Sequence, residues 1–550
     1  MTDPDTSPYY VTTPIYYVND RPHIGHCYTT VVADVAARMA RLLGRDTFFL
    51  TGTDEHAEKV TAKAAEQNMP VRDWADRNAL AFREAFAALG CSNDDFIRTS
   101  EDRHKQHAAA FIKALMDRGD IELGEYEGWF DPSQEEYLTE TTAREHDYTS
   151  PVSGRPLERR AEENYFFRLD RYQDRLLEAI ENERYRILPE ARRNEVLSRV
   201  RQGLQKVPVS RRIKDDEPDD VRAWGVMMPG DPEHRVYVWI EALLNYLTAI
   251  QTDDRRRYWP AAAQLLAKDI LWFHAVIWPA MLIALDKPLP GIVYAHAYYI
   301  AEGRKMSKSL GNFIEIDTLE RYAERYSVDA LRWFLATQGP LGSTDADFAH
   351  ARFVEIYNAE LANGIGNAAS RVGNMIAKYF DGVVPDHNGA LVGEGFDWPA
   401  LAHDGAASVR TKHADFEIDT ALRTGVDLSS QVDQYINATR PFSIAKAIDK
   451  GEASDPHAEH ARLGAILYQC AEALRIASLL LWPAMPFKTA ELWRNWNCSP
   501  LNDPEDPDSG FVAPLAELAR FAGPHGLEPG QRLTKGEALF MRADDANDAP

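Results

Sequence analysis

Cysteine is scarce in this 550-residue chain. Cys27, Cys91, Cys470 and Cys498 are all there are, with no Cys-x-x-Cys pair and no alternation with histidine at ligand spacing. A disulfide framework and a structural zinc site are therefore not expected. Long apolar runs are missing too: the greasiest, 270–285 (ILWFHAVIWPAMLIAL), carries His274 and Pro279 and falls short of the ~20 residues that span a bilayer. The N-terminus has no basic segment leading into an apolar stretch, so no secretory leader is expected and a cytoplasmic, membrane-free protein is. Positive charge is in short supply, 61 Lys and Arg against 85 Asp and Glu for a net of −24. Nucleic acid, if bound, must be met through a local basic surface, because the mean field repels phosphate.

What is present is enough apolar sequence, 45% of residues, for two or three cores. Residues 9–18 (YYVTTPIYYV) read as a strand, and 29–43 place Val31, Val32, Val35, Met39, Leu42 and Leu43 at helical spacing before Gly44. A second strand around Phe48–Leu50 completes a βαβ unit, which predicts a parallel sheet with its ligand crevice at the strands' carboxyl ends. Helical patterns fill 58–118. Gly, Pro and charge clusters mark 119–225 as an insertion, and strands and helices alternate again at 235–300. From about 350 the pattern is helical, as in 458–483 before Pro483, and the acidic tail 542–550 reads as frayed. The expected fold is α/β: a Rossmann-type catalytic domain (1–118 and 226–349) interrupted by a zinc-free insertion (119–225), then an all-α bundle (350–550).

Two constellations could carry chemistry. His23-Ile24-Gly25-His26 lies between the first strand and its helix, where free N–H groups favour a phosphate and Gly25 allows close approach. By itself it also suits a pair of capping histidines. Lys305-Met306-Ser307-Lys308-Ser309, flanked by Gly303 and Gly311, suits a polyphosphate whose charge builds as a leaving group departs, or equally a solvated basic turn.

Together these two motifs resemble the joint signature of class I aminoacyl-tRNA synthetases. The sequence is similar to methionyl-tRNA synthetases in particular through TTPIYYVND (12–20), LTGTDEH (50–56), EENYFFRL (162–169), RNEVL (193–197), YVWIEALLNY (237–246), KDILWFHAVIWPAM (268–281) and GNAASR (366–371). The resemblance implies activation of methionine by ATP with Mg²⁺, then transfer of the methionyl group to the 3′ end of tRNA(Met), by a monomer or homodimer. It assigns His23, Gly25, His26, Lys305, Ser307 and Lys308 to ATP, and Arg211 to the catalytic site. Ile15, Tyr17, Asp54, Trp239, Leu243, Tyr246, Ile270 and His274 are assigned to methionine, with Tyr246 and His274 near its sulfur. Asn367 and Arg371, one helical turn apart, and Phe442 in place of a stacking Trp are assigned to the anticodon.

Residue types agree with that pocket, because a thioether is apolar, polarizable and a weak acceptor, and suits an aromatic slot with one or two polar groups. Taken alone, Trp239 and Tyr246 also suit a core, Asp54 a helix N-cap, and Asp54, Glu55 and His56 a metal site. Departures from the family pattern are Ala267 and Ala297 where glycine is common, Glu241 where Asp is usual, and an insertion without cysteine quartets. They keep open an alternative, a synthetase-like paralogue that adenylates an amino acid for a non-tRNA acceptor.

Overall fold

The structure, a computed structural model, describes residues 7–131, 136–138, 140–151, 153–306, 311–498, 502–506, 509–544 and 549–550. Strand β1 (Tyr9–Tyr17), helix α1 (Ile24–Leu42) and strand β2 (Thr47–Asp54) form the predicted βαβ unit. Strand β3 (Asp95–Arg98) was not foreseen within 58–118; it is four residues long and wedged between helices Val71–Ala88 and Asp102–Asp117, too short for an alternating pattern to show.

Six strands make one parallel sheet in the order β3, β2, β1, Ala263–Ala267, Ile292–His296, Arg186–Leu188. The order reverses direction between β1 and Ala263–Ala267, so a crevice opens at their carboxyl ends, where a doubly wound sheet binds its ligand. The outermost strand, Arg186–Leu188, comes from the stretch read as an insertion. That stretch is therefore divided. Its flanks build a four-stranded sheet (Ile121–Asp131, Glu136–Leu138, Glu158–Phe167 and Val207–Pro208) and give one strand, Ser210–Arg212, to a three-stranded sheet completed beyond residue 225 by Met227–Met228 and Asp231–Val236, while its middle returns to the catalytic sheet.

The C-terminal part is a bundle of helices Asn367–Tyr379, Trp398–Ala414, Ile418–Thr439 and Pro456–Leu481. Among the described residues only Pro456–Leu481 is long and apolar enough to cross a membrane, and its apolar window is wholly buried in the bundle, as befits a core helix. The tail expected to fray is tied down at Ala543, which exchanges backbone hydrogen bonds with the Asn358 side chain at 2.9 and 2.7 Å.

Helix α1 is buried nearly all round, so its charged residues must be paired inside the protein. Asp34 takes Arg38 Nε at 2.8 Å, Arg332 Nη2 at 2.7 Å, and the Ser92 amide and hydroxyl at 2.6 Å. Burial pushes the Asp34 carboxyl up, but Arg38 and Arg332 outweigh it and hold the group below the usual carboxylate range. Arg332, with no exposed surface, also donates to the carbonyls of Leu89, Pro483 and Ala484. One guanidinium thus joins α1, the loop before β3, helix Val328–Gln338 and the bundle. Asp34→Asn strands two buried guanidinium groups and is expected to cost about 3–5 kcal/mol, read as a lowered thermal midpoint. A midpoint equal to wild type would show that this cluster does not hold the two halves together.

Candidate functional site

Helix α1 begins where β1 ends, and its first turn is closed by histidines instead of the usual Ser, Thr or Asp. His23 Nδ1 accepts the Gly25 N–H at 3.0 Å, and His26 Nδ1 accepts the His23 N–H at 3.3 Å, a reciprocal capping box. The rings stack with centroids 3.8 Å apart. A ring nitrogen that accepts carries no proton, so in a neutral imidazole the proton sits on Nε2. The cap therefore sets both rings as Nε2–H donors beside the positive end of a 19-residue helix, a combination suited to phosphate oxygens. Desolvation among Tyr16 and Phe82, and then the adjacent His23, hold His26 well below the usual histidine value, so it stays neutral.

The chain just beyond the lysine-bearing segment returns to the same place. Lys305 closes a hairpin (Arg304–Lys305 against Tyr299–Ala301) whose turn residues Glu302 and Gly303 both have left-handed φ. Ser307 and Lys308 lie outside the described residues. Beyond the loop, Asn312 Nδ2 donates to the Lys305 carbonyl at 3.2 Å. Phe313 meets the His23 ring edge-on at 5.1 Å, Ile24 N–H donates to Ile314 O at 3.0 Å, and His23 forms a β-bridge with Glu315.

A cavity of about 660 Å³ opens at the switch point. Of the residues singled out from sequence, Ile15, Tyr17, His23, Gly25, His26, Trp239 and Ile270 line it. Tyr17 meets Trp239 edge-on at 5.6 Å, and Trp239 stacks on Phe273 at 4.6 Å, giving the slot its aromatic wall.

Asp54, Leu243, Tyr246, His274, Lys305 and Arg211 do not line the cavity. Asp54 ends β2 opposite Tyr17 and is buried. It is not a helix cap, since the next helix, Glu58–Glu66, is entered from Ala57. Arg211 is folded over the Tyr237 ring at 4.0 Å. Tyr246 and His274 are both buried and engaged with each other. His274 Nδ1 donates to Ile270 O at 3.1 Å, so its Nε2 accepts the Tyr246 hydroxyl proton at 2.8 Å. Burial lowers His274 to about 4, leaving it neutral. Both donors expected at a ligand's sulfur are thus used internally.

The metal reading of Asp54, Glu55 and His56 dissolves in the same way. Glu55 takes Arg98 at 2.6 and 3.0 Å, and His56 Nδ1 donates to Glu241 at 2.7 Å. Among the described residues no group of three His, Cys, Asp or Glu is placed to hold a metal ion. Glu241, fully buried, also lies 3.5 Å from His104; burial pushes its carboxyl up, and His56 and His104 bring it below the usual value. It ties the helix carrying Trp239 to the segment carrying Asp54.

Sequence reasoning passed over Lys59, Arg199, Asp269, Phe273, His296 and Phe313, which also line the cavity. Asp269, Phe273 and Phe313 stand within or beside segments already singled out, and His296 ends a readable strand. Lys59 and Arg199 carry no local signal.

A parallel sheet with this switch point and a histidine-closed phosphate corner places the chain among α/β enzymes that bind a nucleotide at the sheet's carboxyl edge. The family model described as tRNA synthetases class I (M) matches residues 9–146 and 142–373. A methionine–tRNA ligase of Bacillus subtilis is 41% identical over 502 residues, covering 88% of this chain and 72% of the relative. One from Brucella melitensis is 40% identical over 548 residues, covering 98% and 99%. The crystal structure of Mycobacterium tuberculosis methionyl-tRNA synthetase bound by methionyl-adenylate superposes with a TM-score of 0.84 at 34% identity, covering 97% of this chain and all of that one. The chain belongs to the class I aminoacyl-tRNA synthetases and, within them, to the methionine–tRNA ligases.

A Cβ on residue 25 would lie 2.9 Å from His23 Cε1 and 3.1 Å from its Nδ1. Gly25→Ala is accordingly expected to displace the His23 ring and cost about 1 kcal/mol of cap stability. ¹⁵N NMR at neutral pH should show both rings as Nε2–H tautomers in the wild type and a changed His23 signal in the variant. An unaltered His23 tautomer would refute the cap.

Proposed function

We propose that the cavity at the switch point carries out both steps of methionine–tRNA ligation. In the first, the methionine carboxylate attacks the α-phosphorus of ATP, and pyrophosphate leaves. In the second, a terminal ribose hydroxyl of tRNA(Met) attacks the adenylate's carbonyl carbon, and AMP leaves. No protein nucleophile is required, so the chain's own contribution is position and charge.

The observation that carries this reading is the set of contacts joining the His23–Ile24 turn to Phe313, Ile314 and Glu315. It brings residues 313–315, just beyond the lysine-bearing segment, onto the histidine turn, which supports placing the lysines near the phosphates. His23 and His26 offer Nε2–H groups to the phosphates, Lys305 and Lys308 neutralise charge on the departing pyrophosphate, and Ser307 offers it a hydroxyl. ATP enters as its Mg²⁺ complex. Among the described residues Asp20 and Asp269 are the carboxylates lining the cavity, and the ion is carried by the ATP phosphates.

Ile15, Tyr17, Trp239 and Ile270 receive the methionine side chain, with Leu243, Tyr246 and His274 as a closed backing. Because that Tyr–His pair is satisfied internally, selection of a thioether rests on the polarizable aromatic wall. Asp54 pairs with the substrate's ammonium group, and Arg211 serves the adenylate once released from the Tyr237 ring. A structural zinc is not part of this reading, because the four cysteines lie on separate segments of the chain. The site of action is the cytoplasm.

In the bundle, Arg371 lies 5.8 Å from the Phe442 ring, which is 47% exposed, and pairs with Asp433 at 2.7 Å; Asn367 is exposed one turn earlier. A cation and a ring face on one surface suit an unstacked anticodon base. This surface favours tRNA over a non-tRNA acceptor.

Methionine-dependent ATP–pyrophosphate exchange together with tRNA charging tests the whole reading; exchange without charging would shift it to another acceptor. Lys308→Ala is expected to slow exchange about 100-fold, the loss of ~3 kcal/mol of transition-state charge contact. An unchanged exchange rate would remove the lysine from the mechanism. Phe442→Ala is expected to weaken tRNA affinity by about 1–3 kcal/mol with exchange in the absence of tRNA unaffected. Equal binding by filter retention would dismiss the stacking role.

A further inference from the structure

The ligation reading gives Glu241 no contact with substrate, since this residue does not line the cavity. It has no exposed surface, and a carboxylate is costly to bury unless its partners offset the desolvation. Those partners come from other elements. Glu241 stands on helix Val238–Leu243, two residues beyond Trp239, and residues two apart on a helix project to nearly opposite sides. Trp239 therefore faces the cavity while Glu241 faces the interior. There, Oε1 accepts the His56 Nδ1–H at 2.7 Å, and Oε2 lies 3.5 Å from Nε2 of His104 on helix Asp102–Asp117. His56 comes two residues after Asp54, the end of β2, and its ring meets Trp224 edge-on at 5.3 Å. The Trp224 indole donates to the Glu55 carbonyl at 2.6 Å and fixes that segment from its other side. His104 Nδ1 is 3.4 Å from the hydroxyl of Thr248, on the short helix Asn245–Thr248 that continues the one bearing Glu241.

We propose that Glu241 is a positioning residue for methionine: the length of its side chain sets the spacing between Asp54, which receives the ammonium group, and Trp239, which walls the thioether. These two residues bound opposite ends of the substrate, and each stands two residues from the Glu241–His56 contact. An apolar side chain of similar volume would fill the place of Glu241 without the desolvation cost. It would not fix a distance, because hydrophobic burial is non-directional whereas a hydrogen bond to a carboxylate is short and directional. The slot is thus held from behind, by a group that supports the contacting residues without touching the ligand. The phosphate corner is built on other elements, α1 and residues 313–315, so ATP binding is expected to be indifferent to Glu241.

This inference rests on the ligation reading, which methionine-dependent exchange by the wild-type chain tests separately. Three variants of the full-length chain separate length from charge. Glu241→Asp keeps the charge and is one methylene shorter, Glu241→Gln keeps the length and one acceptor oxygen, and Glu241→Ala removes both. The readouts are the KM for methionine and the KM for ATP in ATP–pyrophosphate exchange, with the thermal midpoint measured beside them. Glu241→Asp and Glu241→Ala should raise the methionine KM at least about tenfold, the scale of a binding group misplaced by a fraction of an ångström, and leave the ATP KM within about twofold. Glu241→Gln should recover most of that loss. The aspartate variant keeps the proposal testable where the alanine variant does not fold. A wild-type methionine KM in Glu241→Asp would overturn the role of length, as would methionine and ATP KM rising in step. Glu241→Gln as impaired as Glu241→Ala would assign the effect to charge and overturn it too. A lowered midpoint with both KM unchanged would leave Glu241 a structural group only.

Discussion

Three contacts make one site out of two distant segments: the Ile24 amide on the Ile314 carbonyl, the His23–Glu315 bridge and the Phe313 ring against His23. Without them the histidine turn is only a helix cap and the lysine loop only a hairpin. With them, the turn that satisfies the first amides of α1 also anchors the base of the loop. Everything proposed for ATP depends on this junction, because charge neutralisation falls off with distance and lysines tethered elsewhere contribute little.

Around this junction burial keeps three histidines neutral. His26 is desolvated and faces His23, while His274 and His296 are buried and each is lowered to about 4. In all three the ring's hydrogen-bond partners, and not the pH, decide which nitrogen donates. His296 Nδ1 meets the Ala297 carbonyl at 2.7 Å, leaving Nε2 for the Thr29 hydroxyl of α1 at 2.8 Å. Buried charges follow the complementary rule. Asp34 and Glu241 stay ionised because cations or imidazoles surround them, and each ties together elements that bear on the site.

The first βαβ unit was legible because a β-branched, aromatic strand passes into a 3.6-period helix, two patterns that differ in residues 9–43. The bundle was legible for the same reason at 458–483. Strand β3 and Arg186–Leu188 were not, since three or four residues show no period, and the second sits amid residues whose composition reads as an insertion. In the site, Tyr17, Trp239 and Ile270 were assigned by resemblance and found on the cavity wall. Tyr246 and His274 were assigned the same way and found closed upon each other, because no sequence pattern reveals that two polar groups satisfy one another. Arg199 was passed over for a related reason: the ring it lies on, Trp272, is 73 residues away in the chain.

The amino-acid sequence alone determined the chemical inventory, the order of the elements and the family, because these reside in local periodicity and in motifs of adjacent residues. Tertiary structure decided which of those residues share a cavity, which tautomers the histidines adopt, and that the middle of the presumed insertion is the sheet's outer strand. Such outcomes depend on hydrogen bonds and desolvation between segments far apart in the chain, and no local stretch of sequence contains both partners.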